Sequence, residues 1–260
     1  MLLKPNALKV TFLGTGTSQG IPIIGSDHPV CLSENPKDKR LRVSVLIEWD
    51  DYTYVIDCGP DFRQQMLRAK CHKIDGIIFT HEHADHTSGL DDIRPFYYRQ
   101  GPIPIYAQEH VISQLRQRFF YLFDSNNGYL DKSGVSINTI ENAPFNLGDI
   151  EVVPIKGTHY KIDVLGFRFN KFAYLTDMKF IPEEEIKKLN GVDVLVVNAL
   201  RETPHPAHFN LQEAIELIEK VNPKKAYLTH ISHLLGFHNE VEANLPDYIS
   251  LAYDNLKIQI

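Results

Sequence analysis

The sequence predicts an α/β protein in which two sheets lie between layers of helices. Three observations carry that expectation. Short runs rich in β-branched and aromatic residues recur along the chain, and several are apolar throughout, as strands buried on both faces are. Helical patterns fall between them, so hairpins are mixed with strand–helix–strand units. Four of the strand-like runs also lead into a residue able to bind a metal: Ile56 into Asp57, Phe79 into Thr80-His81, Leu175 into Thr176-Asp177 and Leu228 into Thr229-His230. Strand ends on one edge of a sheet converge on a shared crevice.

The elements follow in order. Val10 to Leu13 runs into the turn Gly14-Thr15-Gly16. Val43 to Trp49 and Tyr52 to Ile56, separated by Asp50-Asp51, read as a hairpin. Further strands are expected at Gly76–Phe79, Ile103–Ala107, Ile150–Ile155, Leu165–Phe169, Phe172–Leu175, Val192–Val197 and Ala226–Leu228. A helix is expected from Pro60 to Ala69, and another starts at Pro182, where proline and three glutamates suit a helix N-terminus. Leu211 to Val221 places apolar residues at helical spacing. Without repeats or a linker-like stretch, residues 1–260 read as a single domain.

The chain has 260 residues, 43% hydrophobic and 23% charged, which suits a globular protein with a substantial core. A formal charge of −6 with no long basic run argues against gripping a nucleic-acid backbone by charge alone. No apolar run is long enough to span a membrane, and the N-terminal residues lack the pattern of a signal peptide. Three cysteines, Cys31, Cys58 and Cys71, are too few and too odd for a disulfide framework, so a cytoplasmic protein is expected.

The chemistry centres on Thr80-His81-Glu82-His83-Ala84-Asp85-His86-Thr87. Two histidines at i and i+2 just past a strand can chelate one cation, and Asp85 and His86 can turn toward a second. Imidazole and carboxylate together suit Zn, Mn or Fe. Placing so many ionisable groups in a sheet crevice without a cation would be costly. His159, Asp177 and His230 stand where other strands or their following loops end and can complete the two sites, with Asp177 as the bridge because a carboxylate has two oxygens. Two cations about 3.5–4 Å apart lower the pKa of a shared water toward neutrality and stabilise charge on a phosphoryl or carbonyl oxygen.

On Gly14-Thr15-Gly16, Asp57, the His-x-His-x-Asp-His run, His159, Asp177 and His230, in that order, the chain resembles the metallo-β-lactamase superfamily over nearly its full length. The resemblance implies a four-layer αββα sandwich with a binuclear site at one edge. Carried over, His81, His83 and His159 hold one metal, Asp85, His86 and His230 the other, and Asp177 bridges. Asp57 steadies the ligands by hydrogen bonds. The expected cofactors are two divalent ions, Mn or Zn. In phosphodiesterase branches a histidine between the bridging Asp and the last His assists the leaving group, and His208 matches it better than His205. His208 and Asp85 are the candidate catalytic residues.

The N-terminal glycine loop and Leu228-Thr229-His230-Ile231-Ser232-His233 further resemble the phosphonate-pathway phosphodiesterases that open phosphoribosyl cyclic phosphate. Those carry an additional structural zinc on three cysteines and the last histidine. Here Ser26 and His28 replace two cysteines, leaving His28, Cys31 and His233 as candidate ligands. Arg94 is a candidate phosphate contact, set against an ordinary packing role.

The expected activity is hydrolysis of a small cyclic or nucleotide-like phosphodiester, with no membrane partner; a homodimer stays open. A ribonuclease that trims tRNA 3′ ends shares the ligand set, but the acidic charge and the lack of a long basic glycine-rich arm speak against it. Non-catalytic relatives have lost ligands, whereas all seven candidates stand here, and a diiron redox enzyme would want a carboxylate where His83 is.

Overall fold

The computed structural model describes residues 7–124 and 133–260. The N-terminal segment read for a signal peptide lies in part outside the described residues. The described residues form two compact units, one of 7–13, 44–124, 133–141 and 257–259, the other of 14–43, 142–256 and 260.

The strands are β1 (Lys9–Gly14), β2 (Ser44–Trp49), β3 (Tyr52–Ile56), β4 (Gly76–Ile78), β5 (Ile103–Ala107), β6 (Val135–Thr139), β7 (Phe145–Leu147), β8 (Ile150–His159), β9 (Ile162–Phe169), β10 (Phe172–Tyr174), β11 (Val194–Asn198), β12 (Lys225–Thr229), β13 (Ile249–Leu251) and β14 (Lys257–Gln259).

In the first unit they form a sheet of order β14-β1-β2-β3-β4-β5-β6. The expected hairpin is there: β2 and β3 pair antiparallel, with Trp49 opposite Tyr52. From β3 to β6 the pairs are parallel. Parallel neighbours need crossovers, and the helices Phe62–Ala69, Arg94–Gln100 and Glu109–Arg118 lie on those crossovers. Their apolar faces (Phe62, Met66, Phe96, Val111, Ile112, Leu115) form one buried cluster with Leu46, Val55, Ile77, Ile103 and Ile105. Burial on this scale is the main stabilising term of the unit, at roughly 1.5–3 kcal/mol per large apolar side chain.

In the second unit the sheet order is β13-β12-β11-β10-β9-β8-β7. From β7 to β10 the pairs are antiparallel, and from β10 to β13 they are parallel. Between β11 and β12 runs the helix Leu211–Val221, with the boundaries the spacing predicts. Asn210 accepts from the Glu213 N–H and Glu213 returns a bond to the Asn210 N–H, a reciprocal cap that fixes where the helix starts. Ala214, Leu217, Ile218 and Val221 pack with Leu195, Val197, Ala226 and Leu228. The N-terminal glycine loop belongs to this unit. Gly16 bridges both Arg42 and Ile231, and a Cβ there would meet Arg40 Cβ and Arg40 O at 3.0 Å, a tight approach that a glycine spares.

Several edges differ from expectation. The β8 strand runs past the expected end at Ile155 to His159, because its pairing with β9 continues to His159 opposite Ile162. Pro154 is tolerated because β7 pairs β8 only as far as Val152, leaving an edge beyond it. The helix expected from Pro60 starts at Phe62, with Asp61 at the cap. Among the described residues no helix is long and apolar enough to cross a membrane.

Candidate metal centre

The first unit carries His81, His83, Asp85 and His86. They follow β4 and lead into the short helix Ala84–Thr87. His81 and His86 are fully buried. The His81 ring centre lies 4.6 Å from that of His83 and 4.2 Å from that of His86, and His86 Nε2 lies 3.3 Å from Asp85 Oδ2. Beneath them Asp57, buried and at φ +63, receives the Thr80 N–H at 2.9 Å and the His86 Nδ1–H at 2.7 Å. Burial raises the Asp57 pKa, opposed by His86 and Thr80. Backbone bonds stitch the helix to the segment after Asp57: Cys58 N–H donates to His86 O at 2.7 Å and Gly89 N–H to Cys58 O at 2.8 Å.

The second unit carries His159, Asp177, His208 and His230, all buried. His159 is the last residue of β8, not a loop residue as the expected end of the strand implied. Its Nδ1–H donates to Ala207 O at 2.8 Å. Asp177 Oδ1 lies 3.1 Å from His230 Nε2 and 3.6 Å from His208 Nδ1, while Oδ2 accepts from the Thr176 hydroxyl at 2.8 Å. The His208 ring sits 4.4 Å from His159 and 4.7 Å from His230. Asn198 clamps the turn after Asp177 by bonding both N–H and C=O of Met178, at 2.9 and 3.0 Å. The glycine loop holds the turn at His230, where Ile231 N–H donates to Thr15 O at 2.9 Å and Thr17 N–H to Ile231 O at 3.0 Å.

Three of these polar strand-end residues adopt left-handed backbone: Asp57, Asp177 at φ +55 and His230 at φ +54. For non-glycine residues this conformation is uncommon and clusters at functional sites. It re-aims each side chain just as the strand finishes.

The donor set fits divalent cations. Bonds to Asp57 and to Ala207 O occupy the Nδ1 positions of His86 and His159 and leave their lone pairs on Nε2. Donor atoms of His159, Asp177 and His208 all come within 4.8 Å of one another, so His208 too stands at ligand range. Burial first, then the charge of His230, pushes the His208 pKa down to about 2, against the pull of Asp177.

The expected zinc trio comes together only in part. His28 and His233 meet edge to face at 4.7 Å. However, His28 Nδ1 accepts from Val30 N–H, capping a short helix, and Cys31 Sγ accepts from Ile23 N–H. Cys31 is buried beside Ile21 and Val30, and the three residues are not among the described groups whose donors converge within 4.8 Å. Arg94 is engaged locally: its guanidinium pairs with the Asp91 carboxylate, which also receives the Tyr121 hydroxyl at 2.9 Å. From sequence, Asn198 has no assigned role, although it stands at a strand end as several candidate ligands do, and Thr80 stands in the motif without its bond to Asp57 being assigned.

Residues 52–231 match the beta-lactamase superfamily domain, and the chain belongs to that family. Its fold is α/β, of the metallo-β-lactamase type. The family and the buried His/Asp sets imply divalent metal ions. More particularly, the chain is similar to a crystal structure described as a new diphosphatase from the PhnP family: 39% identity, 98% of this chain and 97% of that one covered, TM-score 0.92. It is 37% identical to an octanoyltransferase of Porphyromonas gingivalis over 96% of its own length, yet spans only 51% of that protein. A ribonuclease Z of Methanosarcina mazei is 26% identical, over 81% of this chain and 53% of that protein.

Proposed function

We propose that the two histidine clusters act as halves of one hydrolase domain and cleave a small cyclic or nucleotide-like phosphodiester. His81, His83 and His159 are assigned to one ion, Asp85, His86 and His230 to the other, and Asp177 to both. The order of these residues along the chain, and the family to which it belongs, support that division. Bound there, divalent ions supply Lewis acidity and a water ionised near neutral pH.

The residues do the rest. Asp57 orients the His86 ring, Ala207 O orients that of His159, and Asn198 fixes the turn that carries Asp177. His208 is the group assigned to the leaving oxygen. A buried neutral imidazole donates an N–H hydrogen bond, and the negative charge of a phosphodiester beside it would favour its protonated form. The observation that carries the reading is the place of His208, its Nδ1 3.6 Å from Asp177 Oδ1 and its ring 4.7 Å from that of His230. Similarity to a PhnP-family diphosphatase supports phosphorus–oxygen chemistry.

Similarity to ribonuclease Z favours RNA as a second substrate class, and the charge of −6 opposes it. Mn- and Zn-loaded protein, challenged with cyclic phosphates, nucleotides, bis-p-nitrophenyl phosphate and precursor tRNA, separates the two. Cleavage of the small diesters is expected. Cleavage of thioesters or lactams with the diesters left intact would overturn the assignment.

A further inference from the structure

We propose that Arg118 is a positioning residue for the His81–His83 loop, acting on its backbone from the neighbouring helix. The proposal rests on reading that loop as a ligand loop. Arg118 ends the helix Glu109–Arg118. Its Nη2 donates to Glu82 O at 2.7 Å and its Nη1 to Thr87 Oγ1 at 2.9 Å. The Thr87 hydroxyl reaches His83 O at 2.8 Å and Glu82 O at 3.3 Å. One guanidinium thus grips the carbonyl between the two histidines and the hydroxyl that holds the next carbonyl. From the same helix, His110 Nε2 lies 3.5 Å from Glu82 Oε2.

The helix behind this grip is packed into the core. Val111, Ile112 and Leu115 seat the helix in the buried core of the unit. The Arg118 Nε–H donates to Gln114 O at 3.3 Å, which orients the plane of the fork. A planar fork with several donors can hold two acceptors at once, which a lysine ammonium on a flexible stem does less well. A loop carrying two imidazoles to one cation must keep its carbonyls fixed if the rings are to stay aimed, and groups that orient ligands in this way govern affinity.

The test compares wild type with Arg118→Met, which keeps the apolar stem, and with Arg118→Lys. In metal-free protein, hydrogen exchange followed by mass spectrometry should show faster exchange over residues 82–88 in Arg118→Met, with thermal stability unchanged. Chelator competition with Zn should show affinity about tenfold weaker, and kcat should fall with KM little changed. Arg118→Lys should recover part of each. Unchanged exchange and unchanged Zn affinity in Arg118→Met would overturn the proposal, as would losses that only track a global loss of stability. Failure of the phosphodiesterase reading would show in the wild-type substrate screen and leave the exchange result standing.

Discussion

His86 Nδ1 lies 2.7 Å from Asp57 Oδ2, and both side chains are fully buried. This contact fixes which nitrogen of His86 faces outward and gives the Asp57 carboxylate its compensating partner. Breaking it by removing one member leaves the other buried with less to hold it.

Asp57→Asn keeps the shape and removes the charge. Metal affinity should fall by roughly 10–100-fold, measured by chelator competition, because the oriented imidazole becomes a poorer ligand. Wild-type affinity in the variant would show that Asp57 does not tune the site.

Gly89→Ala tests the packing under the metal loop. A Cβ at Gly89 would stand 2.0 Å from Gly59 O and 2.7 Å from Phe62 Cβ, and backbone must move to admit it. Overpacking of this kind costs about 1–3 kcal/mol or more, readable by urea unfolding. A variant as stable as wild type would mean that the two segments slide apart freely.

His238 sets a pH dependence of stability. Its Nδ1 lies 3.0 Å from Arg40 Nη2, and since a guanidinium only donates, the ring accepts and is neutral. Burial first, then the charges of Arg40 and Lys37, lower its pKa to about 4, with Asp38 opposing. The unfolded chain takes up this proton near pH 6.5, well before the folded one does. Stability from this group is therefore complete above about pH 6.5 and lost as pH falls toward 4. Urea midpoints at pH 7.5 and pH 5 should differ less in His238→Asn than in wild type. An equal shift in both would remove His238 from the account.

His208→Ala should lower turnover of a phosphodiester by roughly 100-fold or more while metal content is kept. Its donor atom stands within 4.8 Å of those of His159 and Asp177, so loss of metal in this variant would make it a ligand rather than a proton donor.

The sequence showed His81, Asp177 and His230 plainly because each follows a strand, where a short apolar run gives way to His or Asp. The helix Leu211–Val221 was equally plain, since its apolar face repeats cleanly over eleven residues. The helix Glu109–Arg118 went unnoticed: only Val111, Ile112 and Leu115 turn inward among polar neighbours, a short signal for one helix face. The strand Val135–Thr139 is largely exposed and lacks an apolar run. What no residue pattern reveals is the support beneath the ligands. Asn198 on the Met178 backbone, Ala207 O on His159 and Arg118 on Glu82 O act through main-chain atoms, whose partners depend on tertiary placement.

The most direct test is the metal content of purified protein, by elemental analysis after growth with ample Mn or Zn, followed by chelation. About two divalent ions per chain are expected, with loss of bis-p-nitrophenyl phosphate hydrolysis when they are stripped and recovery on reloading. Protein that hydrolyses the diester at full rate with no bound metal would contradict this expectation.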